Sequence, residues 1–482
     1  MIMVIGILLI VSTLVSVAGL ITINALRSST NRMTYEAALS AAENGVDFAL
    51  ARLQKAFDDY NADYPIPSMP SPAVPAPACE GPSVLDPAPF ATAEDERVWA
   101  TQQLESLLAA HPECVQKGGE GDFLVFKPET PLVGGLYPKN GKVYAMGWVP
   151  SYDDPKAKRR LLKAEYIFMP YRPTHAVLSS GNVEISSSTT VTAAYGVDPL
   201  QASVHSNGSV TGTGNPTVTG PVTSTGSSSF SSNKFTAPQN TGGAVAPAST
   251  QRIPPISARS LYFRALSDYP QYDSSWYDLC SDGTARPRSS GGPCTSSTIL
   301  NASSPTFRGW SWTSGTKTWV ASRLTQDGIY FVDKGNVDVG TGNAVINNIS
   351  VIASAENADN CGAKKNGNIT WDHYEMARPA FQNLWLYADS DLVTRSNFTA
   401  GSGTSAPPVV SGMFVAGDQM QMETSSQGAV GSVLIGNRCP TGGNPNLITT
   451  SEIKNPAIYY DPYADAPFTS VINTTLWLEY AG

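Results

Sequence analysis

From Met1 to Leu26 the chain carries no charged side chain, and the apolar run ends only at Arg27. As a helix rising about 1.5 Å per residue this stretch would extend roughly 39 Å, longer than the ~30 Å hydrocarbon core of a bilayer. Beyond it the apolar positions narrow to one face, with no intervening proline: Met33, Ala37, Ala41, Val46, Leu50 and Leu53 recur at helical spacing. The pattern predicts one N-terminal helix over 1–57, apolar over 1–26 and amphipathic over 27–57. An ordinary membrane anchor would instead turn into a loop near Arg27.

The proline-rich stretch 58–90 lacks any period and reads as a linker. Helical spacing returns in ATAEDERVWATQQLESLLAAH, with Val98, Leu104, Leu107 and Leu108 near one face. Three β-type runs follow, DFLVFKP, KVYAMGWVPSY and RRLLKAEYIFMPY, separated by turn residues. Residues 91–173 are therefore expected to form a short helix on an antiparallel sheet. Over 174–256 short Val/Ile steps alternate with Gly, Asn and Ser/Thr, as in GNVEI, GSVTG and PTVTG. That texture suits stacked parallel rungs with glycine or asparagine at the corners. The aromatic stretch 257–326 reads as an insertion or lateral subdomain. Rung texture resumes over 327–482 in IYFVDKGNVDV, LWLYADSDLVT and MFVAGDQMQME, with a period of about 25–30 residues. The closing AIYYDPYADAPF and TTLWLEYAG are expected to cap the open end of the stack or pack on a neighbour. The fold class is thus α+β: a long helix, a small antiparallel sheet, then a mainly β head with parallel solenoid segments.

Composition narrows the setting. Charged residues make up only 15% of the 482, whereas Gly (41) and Pro (36) are plentiful. A net charge of −9 without a basic patch argues against nucleic-acid binding. The six cysteines are even in number and show no Cys-x-x-Cys or zinc spacing, which favours disulfides over metal sites. Chain proximity suggests Cys79 with Cys114, Cys280 with Cys294, and Cys361 with Cys439, although other connectivities are open. No positive charge precedes the apolar run; read as an intact precursor, that would hold the head in the cytoplasm. The extracellular-looking head contradicts this. Removal of a short basic leader ahead of Met1 would resolve the conflict.

The apolar half-helix, the Arg27-Ser28-Ser29 step and the Ala41-Ala42-Glu43 motif resemble the N-terminal helix of type IV pilins, most closely the PilX-like pilus-assembly proteins. The resemblance covers about the first 55 residues. Most pilins carry a glutamate where this chain has Ile5, so no role resting on that carboxylate transfers; PilX-like members often lack it. The rung texture resembles that of bactofilin-like solenoids. The pilin resemblance implies a structural subunit of an extracellular pilus-type filament, held in the inner membrane before assembly. Its partners would be copies of itself, a prepilin peptidase and an ATP-driven assembly platform. The helix residues singled out are Met1, Ile5, Gly19, Arg27, Arg32, Glu36, Ala41, Ala42, Glu43 and Asp47. The small residues would admit close helix approach and the charges would set register between subunits. Gly19, Thr22 and Asn24 interrupt the apolar run, and any unwinding on assembly is expected to centre on 16–24.

Enzymatic chemistry finds little footing. His111, His175, His205 and His373 lie in no hydrolase or lyase motif. Asp389, Asp391, Asp333 and Asp338 could in principle pair as carboxylates for glycoside hydrolysis or for calcium, but aspartates at rung corners commonly serve structure. No catalytic residue, cofactor or metal is expected. The alternatives to a main filament subunit are a minor or tip pilin, a membrane-anchored surface adhesin and, least supported, a β-helix enzyme acting on polysaccharide.

Overall fold

The structure, a computed structural model, describes residues 28–55, 79, 89–119, 121–128, 140–194, 196–226, 228, 240, 245–253, 257–301, 306–322, 324–339, 348–357, 361, 366–372, 378–395, 410–423, 428–439, 450–467 and 469–480. Two compact units divide the chain. The first comprises Met1–Ala56, Pro70–Phe168 and Ile472–Gly482, and the second Phe57–Met69 and Met169–Val471. The described part is α+β, an N-terminal helix followed by mostly strands.

In the first unit, helix α1 (28–55) and helix α2 (Ala93–Ala110) cover opposite faces of one sheet. Its strands are β1 (Gln116–Lys117), β2 (Asp122–Phe126), β3 (Asn140–Val149) and β4 (Lys158–Pro170), each antiparallel to the next. Side chains alternate between the faces, as a pleated strand requires. Ala145, Leu162 and Ala164 meet Ala42 and Val46 of α1, while Tyr144, Met146 and Leu161 meet Leu104 and Leu107 of α2. Helix α2 starts in a capping box: Thr92 Oγ1 accepts from the Asp95 amide, and Asp95 accepts from the Thr92 amide. Its buried stripe is Glu96, Ala100, Leu104 and Leu107. Val98, expected on that face, is exposed instead, because two residues from both Glu96 and Ala100 it falls on the opposite side of the helix from the buried stripe.

The second unit begins with β5 (Val177–Ser179), β6 (Val183–Ser187) and β7 (Thr190–Ala193), then β8 (Val204–Ser206), β9 (Val210–Gly214), β10 (Thr217–Val218), β11 (Val222–Ser224) and β12 (Ala246–Pro247). Helix α3 (Ala258–Asp268) precedes β13 (Trp276–Leu279), β14 (Ala285–Pro287), β15 (Thr306–Phe307), β16 (Trp310–Thr313) and β17 (Thr318–Ala321). The strands then fall in alternating pairs: β18 (Gly328–Val332) and β19 (Asn336–Val339), β20 (Ile349–Ala353) and β21 (Ile369–Trp371), β22 (Leu384–Ala388) and β23 (Leu392–Arg395). After β24 (Val410–Ala416) and β25 (Met420–Glu423) come β26 (Gly428–Ile435), β27 (Ser451–Lys454) and β28 (Ala457–Tyr460). The last strand, β29 (Thr469–Tyr480), closes the chain.

Each pass of the chain adds one parallel strand to each of two long sheets. One sheet runs β12-β11-β8-β5-β26-β24-β22-β20-β18-β13, the other β17-β19-β21-β23-β25-β27-β6-β9. The spatial order therefore departs from the chain order. The early strands β5–β7 sit in the middle, paired in parallel with the late strands β26–β28. Stretches 174–256, 257–326 and 327–482 of the sequence reading contribute to the same two sheets: β13 pairs β18, and β17 pairs β19. Antiparallel β14 and β15–β16 lie at the β13/β17 end, where they occupy strand edges that would otherwise be open. The closing TTLWLEY run was expected to cap the open end of the stack or pack on a neighbour. It is instead a strand of the first unit's sheet, next to β4. Thr475 bonds Glu165 and Glu479 pairs with Arg160, so β29 and β4 run in opposite directions.

Hydrophobic rows hold the rungs together. Val332, Ala353, Ala388, Ala416 and Ile435 point inward in register, and the row continues as Ser179, Ser206 and Ser224. Those serines are satisfied at the corner: Ser179 and Ser206 both donate to the Gly181 carbonyl. Trp385 packs against Trp371 and Phe414, with ring centroids 5.3 and 5.0 Å away. The other surface of the first long sheet is apolar too; Phe331, Ile352 and Leu434 are covered in part by Leu261 and Tyr262 of α3. At the corner between the sheets a polar ladder climbs from rung to rung. Asn336 accepts from the Asn368 amide at 3.2 Å, Asn368 from the Asp391 amide at 3.0 Å, and Asp391 from the Gln419 amide at 3.1 Å. Each side chain thus satisfies a buried N–H of the next rung, where no water could. Replacing Asn368 by Ala removes the acceptor for Asp391; urea unfolding should show a loss of about 1–3 kcal/mol.

Candidate assembly helix

The helix α1 is sealed on one side only. Ala38, Ala41, Ala42 and Val46 are buried, each 1% exposed or less. The contact is close because the sheet has a glycine beneath it: a Cβ on Gly147 would stand 2.3 Å from the Ala38 carbonyl oxygen and 2.5 Å from the Ala42 amide. Tyr35 is flanked by Lys158 and Arg160, whose cationic groups lie 5.3 and 4.6 Å from its ring. Phe48, partly exposed, touches Phe123.

Of the residues singled out on this helix, Ala41 and Ala42 are committed to the chain's own sheet rather than left free for a neighbouring helix. Glu36, Glu43 and Asp47 are exposed, as is Met33 at 66%. Arg32 bonds Glu36 of its own chain at 2.8 Å, one turn away; that bond, with the carboxylate charge, raises the Arg32 pKa. Met1, Ile5, Gly19 and Arg27, together with the 16–24 unwinding segment, lie outside the described residues. Among the described residues no helix is long and apolar enough to cross a membrane.

A second feature of this unit was not anticipated. Glu96, 8% exposed, accepts hydrogen bonds from the hydroxyls of Tyr144 at 2.6 Å and Tyr480 at 2.8 Å, and pairs with Lys163 at 2.9 Å. Lys163 also reaches Glu165 at 2.7 Å. One carboxylate thus ties α2, β3, β4 and β29. Burial works to raise the Glu96 pKa, but the hydroxyl and ammonium donors outweigh it and hold the carboxyl below its usual range. Nothing in the local sequence flags this, since a glutamate in a first helical turn ordinarily serves the helix dipole.

The three disulfides join Cys79 to Cys114, Cys280 to Cys294 and Cys361 to Cys439, with Cα–Cα distances of 4.9, 5.8 and 5.5 Å. Asp389 and Asp391 are buried and spent on backbone: Asp389 accepts from the Ala258 and Ala355 amides, and Asp391 from Gln419. Asp333 is half-buried near Ser354, and desolvation raises its pKa; it does the same for half-buried Asp338. His205 is fully buried, its ring bonded to Thr223 and Asn207, and lies 5.3 Å from His175. Burial, then the charge of His205, lowers His175 to about 4. His111 pairs with Glu113, and His373 lies outside the described residues. Asp338 has a half-buried acidic neighbour, Asp372, whose pKa is raised by burial and by the charge of Asp338.

No family model matches the chain, and no curated protein matches it. Among solved structures, the crystal structure of the competence-associated pilin ComZ from Thermus thermophilus aligns over 92% of this chain and 97% of that one. The identity is 11% and the TM-score 0.28, too low to bear on fold or function.

Two outcomes are expected. Gly147→Val should force α1 off the sheet and cost about 1–3 kcal/mol in thermal or urea unfolding of the first unit. Because the folded-state pKa of Glu96 is depressed, its contribution is present at neutral pH and lost as the pH falls through that lowered value. Glu96→Gln should therefore lower stability near pH 7, by roughly 3 kcal/mol, and flatten its acid dependence. Unfolding curves at several pH values measure both.

Proposed function

We propose that this chain is a structural subunit of an extracellular type IV pilus or pilus-like filament that polymerises through its N-terminal helix. The observation that carries the reading is α1 itself. Its small-residue side is occupied by its own sheet, its acidic side is exposed, and the sequence directly ahead of it is the uncharged run Met1–Leu26. Such a run needs an apolar surrounding, the inner membrane before assembly and the neighbouring helices of other copies afterwards; burial at about 25 cal/mol per Å² is the driving force. The exposed acidic side, Glu43 and Asp47 beside the Arg32–Glu36 pair, faces those neighbours. Arg27 is the natural counter-charge, since Arg32 is engaged with Glu36 of its own chain. With Ile5 in place of a carboxylate, register depends on these charges and on apolar packing.

The second unit is read as a parallel β-solenoid carried on the outside of the filament. A prepilin peptidase and an assembly platform are the expected partners of the pathway, and the cell-surface filament is the expected location. The test is electron microscopy of sheared surface filaments with mass spectrometry of their main component. This chain should be a component, and recovery from the membrane fraction alone would sink the reading. The paired reversal Glu43→Lys and Asp47→Lys should leave the melting temperature within about 1 °C of the parent, these being exposed sites. It should nonetheless reduce filament yield strongly, and Arg27→Glu in the same chain should restore part of it.

A further inference from the structure

The second unit is inserted in the first. Strands β4 and β29 are neighbours, yet the bonded residues Glu165 and Thr475 are 310 apart in sequence. Almost everything between them belongs to the second unit. Within that unit the incoming and outgoing segments are held together: the Ala466 amide donates to the Tyr171 carbonyl at 2.8 Å, Arg172 pairs with Asp465, and the Tyr460 hydroxyl donates to the Pro173 carbonyl. The first unit's sheet is completed by β29, whose Tyr480 reaches Glu96.

Loop entropy makes this arrangement consequential. The penalty for closing a loop scales as the three-halves power of its length, so a slack loop of about 300 residues disfavours closure roughly 500-fold relative to a hairpin loop of about five. Folding of residues 169–471 removes most of that penalty, because the bonds just described deliver the start of β29 to the end of β4. We propose that the inserted body is a folding checkpoint: β29 docks on β4, and Tyr480 locks onto Glu96, only while the body is folded. For a chain that enters filaments, an inference resting on the function proposed above, a folded outer body becomes a condition of completing the unit that carries the assembly helix.

The coupling can be measured without filaments. Ile185 and Ile453 are fully buried and paired where the early and late strands meet. In the full-length chain, Ile185→Asp with Ile453→Asp places two charges in that core and should open residues 177–193 to hydrogen exchange. Residues 474–480 should then lose protection by a factor of at least about 100, approaching the loop-closure estimate. The rescue uses the same chain with Arg172→Cys and Asp465→Cys, bridged by a short bismaleimide. Labelling is selective because none of the native cysteines is free. The bridge should return protection to 474–480 while 177–193 stay open. Wild-type protection of 474–480 in the unbridged, opened chain would overturn the proposal, as would failure of a complete bridge to restore it. Failure of the chain to enter filaments, with the coupling intact, would instead count against the proposed function alone.

Discussion

One constraint organises the molecule: the chain must return to the place it left. Strands β4 and β29 are antiparallel neighbours, so whatever lies between them has to start and finish at the same point. A stack built in sequence order from one end to the other would finish many rungs away from its start, at about 4.8 Å per rung. The observed order avoids that. The chain enters at the middle of the stack, builds β5 to β12 outward, crosses back past α3, and builds from β13 inward until β26–β28 meet β5–β7. Parallel pairing of late on early strands is the direct result.

Such a junction has no covalent continuity to enforce it, and its side chains supply the match. Ile453 lies on Ile185, Val433 on Val177 and Ala457 on Thr190. Ser188 bonds Asn455, 267 residues further along the chain. Elsewhere in the stack the register is set by the same two devices, inward apolar rows and corner side chains that accept the next rung's amide. The apolar rows supply most of the attraction but tolerate sliding along the strand. The directional corner bonds do not, because a shift would leave buried donors unmatched.

The first unit solves a different problem, attaching a helix tightly to a sheet while keeping one side free. Alanines at 38, 41 and 42 over Gly147 bring the two backbones close. The tie from Glu96 to Tyr144, Lys163 and Tyr480 lies on the opposite face, leaving the exposed side of α1 available. The division of labour in the proposed filament follows from this: small residues anchor the helix to its own head, and the acidic residues one helical face away are left to meet other copies.

Much of this was legible in the chain itself. The helical spacing of Ala41, Val46 and Leu50 specifies a helix, although Met33, placed in the same pattern, is exposed. The β-branched and aromatic runs DFLVF and KVYAMGW between turn residues specify strands. Turn residues mark the rung corners in VEISS and VDKGNV because only small or left-handed-tolerant residues fit there. These properties depend on neighbours a few residues away, and so a local pattern carries them. What tertiary structure alone decided involves partners far off in the chain. Alanines at helical spacing look the same whether a sheet or another helix is to cover them, and here the chain's own sheet does. Glu96 is an ordinary first-turn carboxylate until Tyr480 arrives from the other end of the chain. The order of the rungs is likewise unwritten, since one parallel strand of valine and small residues pairs as well with many others. The return of β29 to β4 selects among them.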